Sequence, residues 1–328
     1  MDRPRIFVTQ PIAASAERRL EGLGDVTASR DPSRVLGPAD LLRGARDADV
    51  LVCLINDPID AGVIAAAPRL RLIASMAIIP AAIDVAAATG RRIPVTVIPQ
   101  MVTEATADLT FGLMLAVSRR IVEADRGVRR GDFPAPQSPV LEGGYVHGKT
   151  LGLVGAGRIG QAMARRARGF GMRLLYADPR GLGPAEEAAL GLTRRPLAAL
   201  LAEADFVAVH AAYTRETFHL IGAAELARMK PTAYLVNTSR GPVLDEQALA
   251  RALVEGRIAG AALDVYEREP AVEPALLKLP NVILTPHIGS AVGELREAMA
   301  HVVVDNVEAF LGGRRPPNCV NPEVFDRA

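Results

Sequence analysis

Eight residues from position 155 onward have the types and order that could carry group chemistry. They are Gly155, Gly157 and Gly160 in "LGLVGAGRIG", Asp178 18 positions further on, Arg240 in "LVNTSRGPVLDE", Asp264 and Glu269 in "AALDVYEREP", and His287 in "ILTPHIGSA". The glycine run directly follows a strand-like stretch and heads a helix. A tight strand-to-helix turn needs the first glycine, a pyrophosphate can approach the backbone only where the second has no side chain, and the third lets helix and strand pack closely. Arg158 and Ile159 fall inside this turn. Asp178 ends the next strand, "RLLYAD", where a carboxylate can accept both ribose hydroxyls of NAD and would repel the 2′-phosphate of NADP. Its plainer reading is a turn or N-cap aspartate before Pro179, and Arg180 nearby offers a cation for a phosphate. An imidazole titrates near neutrality, so His287 can donate a proton in one direction of a carbonyl–alcohol interconversion and accept it in the other. Arg240 is a natural fork for a substrate carboxylate and can polarise a carbonyl. Singly, Arg240 reads as a surface arginine, Glu269 as a solvated residue in the charged run "EREP" and His287 as a turn cap. Their joint occurrence carries the catalytic reading. His147, His219 and His301 lack such company and read as surface or packing histidines.

The elements that must hold these residues are legible as alternation. From residue 1 to about 100, β-type runs ("RIFVT", "DVLVCL", "RLIAS", "IPVTVI") alternate with helical stretches such as Ala13 to Leu23 and Pro38 to Arg46. Such alternation predicts a parallel sheet covered by helices on both faces. Leu109, Leu113, Ala116 and Val117 return at steps of three and four, so one long helix is expected from Thr103 to about Arg130, bridging two domains. Residues 131 to 148, rich in Gly and Pro and without period, read as a connecting loop. A second series follows, "TLGLVG", "RLLYAD", "DFVAVH", "AYLVN", "AGAALDV" and "VILTP", and then a last helix from Gly293 to Phe310 that could return to the first domain. The fold class expected is α/β with two doubly wound parallel-sheet domains. Residues 1–100 and 291–328 form the substrate domain, and residues 101–290 the dinucleotide-binding domain.

Composition narrows the partners. The 328 residues carry 38 basic and 37 acidic side chains, a net charge of +1, which implies no broad footprint for nucleic acid or anionic lipid. A small-molecule partner is expected instead. The two cysteines, Cys53 and Cys319, have no metal-ligand spacing, so no metal site is expected and a reducing compartment fits. The most apolar stretch, "LIASMAIIPAAIDVAAA" from Leu72, is broken by Pro80 and Asp84 and is too short to span a bilayer. With no apolar leader at the N-terminus, a cytoplasmic protein is expected.

The glycine turn, "SRG", "DV-aromatic-E-x-E-P" and "TPHIGSA" stand in the order found in the D-isomer-specific 2-hydroxyacid dehydrogenases, and the chain resembles that family from about residue 40 to 315, glyoxylate and hydroxypyruvate reductases included. The resemblance implies a flavodoxin-like substrate domain beside a Rossmann NAD-binding domain, and a homodimer through the latter. It implies hydride transfer between NAD(H) and a small 2-oxo acid or D-2-hydroxy acid, with glyoxylate or hydroxypyruvate as the leading cases. It also implies that Glu269 bonds the second ring nitrogen of His287, fixing its tautomer and raising its basicity. Asp264 is implied near the nicotinamide carboxamide, with His210 and Thr238 bordering the cofactor.

Within the same fold, long phosphoglycerate dehydrogenases carry a further regulatory domain for which this chain is too short, and formate dehydrogenases have glutamine where Glu269 stands. A phosphite dehydrogenase-like enzyme and an NAD-binding corepressor-like or regulatory binding protein are the alternatives. The absence of long disordered tails argues against the corepressor. One stretch departs from the family. Relatives read "N-aromatic-G-V-G-Y-D-N-I-D", with loop amides of the G-V-G portion holding the substrate carboxylate, whereas this chain has "SMAIIPAAID" from Ser75 to Asp84. Ile78 and Ile79 are thus the expected substrate-binding positions, by their amides, and Pro80 has no N–H to give. Isoleucine is disfavoured at positive φ, so the loop is expected to avoid that conformation. "HAAYT" at His210 also lacks the usual proline.

Overall fold

Aliphatic and β-branched runs of two to five residues make twelve strands among the described residues, which in this computed structural model are 3–31, 35–133 and 140–326. Residues 134–139 of the expected connecting loop lie outside them. The chain divides into two compact units, Met1–Met101 with Ala291–Ala328, and Val102–Ser290.

The first unit holds β1 (Arg5–Val8), β2 (Asp25–Ala28), β3 (Val50–Cys53), β4 (Leu72–Ser75) and β5 (Val95–Thr96) in the order β2-β1-β3-β4-β5, every pair parallel. This is the flavodoxin-like order. β3 and β4 are buried along their whole length, as parallel strands covered on both faces must be. The helix Gly293–Leu311 belongs to this unit and packs on β4 and on the helix Ala14–Leu23. Arg19 joins the two helices, bonding His301 Nδ1 at 3.1 Å, Asp305 at 2.7 Å and Glu308 at 3.0 Å. His301 is therefore part of an interhelical network. At the switch point between β1 and β3, the buried Asp57 carboxylate accepts from Thr9 Oγ1, Gln10 Nε2 and the Leu54 N–H, tying the loops that follow the two strands.

The second unit holds β6 (Thr150–Val154), β7 (Arg173–Ala177), β8 (Leu192–Arg194), β9 (Phe206–Val209), β10 (Tyr234–Asn237), β11 (Gly260–Leu263) and β12 (Val282–Leu284), again all parallel, in the order β12-β11-β10-β9-β6-β7-β8. Alternate residues feed opposite faces. Val207, Val209, Leu235 and Leu263 enter one apolar cluster, and Phe206, Ala208, Val236 and Ala262 the other. The order reverses between β6 and β9, so the ligand crevice of such a sheet lies beyond their carboxyl ends.

Two readings need correction. The helix over Thr103 to Arg130 is two helices, Thr103–Ser118 and Ile121–Arg129, broken where Arg120 takes φ +53°. Strands β2 and β8 had not been anticipated. Both are edge strands with largely exposed side chains, so neither shows a buried run. Among the described residues no helix is long and apolar enough to cross a membrane.

Candidate active site

Asp178, His210, Thr238, Arg240, Asp264 and His287 each lie within three residues of the carboxyl end of a strand, and Glu269 lies six residues past β11. Gly155 follows β6 with φ +99°, a conformation that side chains rarely adopt, and a Cβ there would lie 2.8 Å from the Ala211 nitrogen. Gly157 caps the helix Arg158–Arg168, and a Cβ on it would meet nothing within 4 Å, leaving room at the helix N-terminus. A Cβ on Gly160 would fall 2.3 Å from the Gly155 carbonyl oxygen, so helix and strand are packed as the third glycine requires. Arg158 and Ile159 form the first turn of that helix. Asp178, after β7, accepts from the Ala156 N–H through Oδ2 at 3.0 Å and from the Arg180 N–H through Oδ1 at 3.0 Å. The carboxylate is thus both a turn former and pinned to the glycine loop. Arg180 is exposed, while Arg194 donates to the carbonyl oxygens of Asp178 and Pro179 at 2.8 and 2.7 Å.

His210, after β9, has both ring nitrogens sealed from solvent and without a hydrogen-bond partner among the described residues, and burial lowers its pKa to about 4. A buried neutral imidazole with two unmet hydrogen-bonding atoms beside a phosphate-type turn fits a dinucleotide that supplies the missing partners. Thr238, after β10, is held from the helix Thr103–Ser118 by Thr110, Oγ1 to Oγ1 at 2.7 Å.

The acid–base groups come together on the neighbouring strands. His287 Nδ1 lies 2.8 Å from Glu269 Oε2. A carboxylate only accepts, so Nδ1 carries a proton and Nε2 is the ring nitrogen that this contact leaves open. Burial works against the charge on Glu269, but the His287 hydrogen bond and charge, the Tyr266 N–H and Arg240 outweigh it and hold the carboxyl below its ordinary range. Burial lowers the Arg240 pKa, partly offset by Glu269, and Arg240 Nη1 donates to the Ser239 carbonyl at 2.6 Å. A guanidinium remains charged across any working pH.

His287 takes φ +52°, the left-handed region that costs a non-glycine residue about 1 kcal/mol or more. Asp264 maintains it. Its Oδ1 accepts from Thr285 Oγ1 at 2.7 Å and the Ile288 N–H at 2.8 Å, and its Oδ2 from the Gly289 N–H at 2.9 Å, so the carboxylate grips the turn on both sides of the histidine. Burial raises the Asp264 pKa, with these bonds opposing.

In the first unit, the loop after β4 leaves Ile78 half-buried and Ile79 54% exposed. Ile79 stays out of the positive-φ region, as its β-branch requires. The Ala77 N–H goes to Ser75 Oγ, and no acceptor among the described residues takes the amides of Ile78 or Ile79. Two free donors beside an exposed apolar side chain are therefore on offer. Among the described residues no group of three or more His, Cys, Asp or Glu could hold a metal.

Sequence reasoning missed the residues that shape these turns. Asn237 Oδ1 accepts from the Ser239 N–H at 3.0 Å and Nδ2 donates to the Arg240 carbonyl at 3.2 Å, while Tyr266 OH donates to the Thr285 carbonyl at 2.8 Å. The signal available was a polar residue closing an apolar strand, as in "YLVN". His219, read as a surface or packing histidine, stacks on Phe218, with Nε2 3.2 Å from Glu267 Oε2.

Comparison with known proteins agrees with this geometry. Residues 111–289 match a family model described as D-isomer specific 2-hydroxyacid dehydrogenase, NAD binding domain. The chain is 49% identical to a glyoxylate reductase of Korarchaeum cryptofilum over 98% of this chain and 97% of that one. A crystal structure of a Thermus thermophilus protein superposes with a TM-score of 0.88 at 43% identity, covering 96% of this chain and 99% of the other. An NADPH-dependent glyoxylate/hydroxypyruvate reductase of Sinorhizobium meliloti does so with a TM-score of 0.79 at 34% identity, covering 99% and 100%. With the glycine turn, the His287–Glu269 pair and Arg240 on one sheet of that fold, the chain belongs to the D-isomer-specific 2-hydroxyacid dehydrogenases, a family of NAD(P)-dependent oxidoreductases.

Proposed function

We propose that this protein reduces a small 2-oxo acid to the D-2-hydroxy acid, with glyoxylate or hydroxypyruvate as the leading substrates and NADH as the preferred cofactor. The observation that carries the reading is the 2.8 Å contact between His287 Nδ1 and Glu269, on the same sheet as the half-buried Arg240. When bound, the dihydronicotinamide supplies the hydride that C2 of the oxo acid takes up. Arg240 holds the substrate carboxylate and polarises the carbonyl. The imidazolium of His287 gives its Nε2 proton to the carbonyl oxygen as the C–O double bond becomes a hydroxyl, leaving a neutral ring with its proton on Nδ1, and oxidation runs the same transfer backwards. Glu269 stabilises the charged ring before the transfer. Gly155, Gly157, Arg158, Ile159 and Gly160 would hold the pyrophosphate, Asp178 the adenosine ribose, and His210, Thr238 and Asp264 would border the remainder.

The first unit is the substrate domain in this reading, with the free amides of Ile78 and Ile79 as carboxylate donors. A homodimer through the second unit is supported by the apolar side chains it exposes between residues 121 and 145: Ile121, Val128, Phe133 and Tyr145. Two free cysteines support a cytoplasmic location.

The test is an initial-rate screen of 2-oxo acids against both reduced cofactors. Because Asp178 is pinned beside the glycine loop, NADH is expected to exceed NADPH by at least about tenfold in kcat/KM, one unfavourable charge contact being enough. Equal use of both cofactors overturns the cofactor assignment. No turnover of any 2-oxo acid overturns the function.

A further inference from the structure

Arg240 and Glu269 lie on different loops, one after β10 and one after β11, and a second group of ionisable side chains ties those loops together. Glu246, the first residue of the helix Glu246–Val254, is 5% exposed. Its Oε1 accepts from the Glu267 N–H at 2.5 Å and its Oε2 from the Glu273 N–H at 3.2 Å. The exchange is reciprocal, for Glu267 Oε1 accepts from the Glu246 N–H at 2.9 Å. Burial raises the Glu246 pKa, and the neighbouring carboxylates of Glu267 and Glu273 push the same way, opposed by the two N–H donors. Such a buried acid is an expensive way to join two loops unless its geometry matters.

His219 completes the group. Its ring stacks on Phe218, its Nε2 stands 3.2 Å from Glu267 Oε2 without the alignment of a hydrogen bond, and its Nδ1 stands 3.9 Å from Asp245 Oδ2. Its backbone N–H donates to the Pro242 carbonyl at 2.8 Å, inside the loop that begins at Arg240. Gly241 shows how close the two loops run, since a Cβ there would lie 1.8 Å from the Tyr266 carbonyl carbon.

We propose that Glu246, Glu267 and His219 are positioning residues that set the Arg240 guanidinium relative to the Glu269 carboxylate. This rests on the reading of Arg240 and Glu269 as substrate-handling groups. Either loop can shift only by breaking the exchange between Glu246 and Glu267. A shift of the first moves the carboxylate fork, and a shift of the second draws Glu269 away from His287.

Glu246→Gln keeps the shape and one acceptor and loses the second. It should lower kcat/KM for the oxo acid by about tenfold, with a higher KM, and move the high-pH fall of reduction to lower pH. The Kd for NADH should stay as it is. Leu201→Ala, in the apolar core of the same unit, should lower the Tm and leave the pH profile alone. Should Glu246→Gln fail to fold, His219→Asn removes the ring from Glu267 and should act in the same direction. In 15N NMR of arginine-labelled protein, the Arg240 Nε signal should move in both variants. An unmoved Arg240 signal together with an unmoved pH limb overturns the proposal. If the wild type turns over no 2-oxo acid, the functional reading fails, and the NMR shift alone decides whether the cluster positions Arg240.

Discussion

Glu269→Gln removes one negative charge 2.8 Å from the His287 ring and keeps the shape of the side chain. Opposite unit charges about 4 Å apart at an effective dielectric constant of about 20 attract by roughly 4 kcal/mol. Both side chains retain some solvent, 26% for the histidine and 21% for the glutamate, which weakens that figure. A pair this accessible keeps only part of that attraction, on the order of 1–3 kcal/mol. The sign follows from the roles. Glu269 has its pKa held down partly by His287, so each charge stabilises the other, and the neutral amide of the variant no longer favours the charged ring. Reduction needs the protonated ring, so at the alkaline end of the profile its kcat/KM should fall by roughly tenfold or more in the variant, with the decline starting at lower pH. Oxidation needs the neutral ring and should extend to lower pH. The assay is the initial rate of NADH oxidation with saturating cofactor and varied oxo acid from about pH 5.5 to 9, repeated for the reverse reaction. Limbs that stay in place in both directions would refute the dyad.

Three further outcomes are expected. Arg240→Ala should lower kcat/KM by about 10²–10³-fold through the loss of two charged hydrogen bonds, and Arg240→Lys by less, because lysine keeps the charge and loses the fork; wild-type kinetics in the alanine variant would remove Arg240 from the site. Asp264→Asn replaces an acceptor with a donor facing an N–H or a hydroxyl that also donates, so denaturant titration should show a loss of about 1–3 kcal/mol and kcat should fall as the His287 turn relaxes. Ile79→Gly combined with Pro80→Tyr, which restores the relatives' pattern, should raise kcat/KM for glyoxylate and hydroxypyruvate relative to apolar 2-oxo acids; an unchanged ratio in a folded, NADH-binding variant would mean that this loop does not set specificity.

The central strands were readable because buried parallel strands are unbroken apolar runs. The glycine turn after β6 and the short motifs holding Asp178, Arg240 and His287 follow such runs and stand out, although Asn237, which closes one of them, was passed over. β8 did not, since "LTR" buries only its leucine. The break at Arg120 carries no glycine or proline, and nothing in "SRRIV" announces a left-handed arginine. The group around Glu246 was illegible for a different cause. Glu246, Glu267 and His219 are far apart in sequence and ordinary in type, and only the packing of the loops after β10 and β11 turns them into partners. Asp264 was legible as a candidate site residue by resemblance, but its grip on the left-handed His287 turn required the hydrogen bonds themselves.

The first unit is assembled from two stretches of chain, and this fixes the order in which a nascent molecule can mature. Residues up to Met101 leave the ribosome early, but the helix Gly293–Leu311 that covers β4 arrives only after all of Val102–Ser290 has been made. At about 5–20 residues per second, that interval is on the order of 10–40 s. The second unit is one unbroken segment and can close within it. The part synthesised first is therefore the last to finish, and through that interval β4 lacks the helix that will cover it. A ribosome stalled before residue 293 would release a finished nucleotide-binding unit joined to a half-built sheet, a natural client for chaperones and proteases.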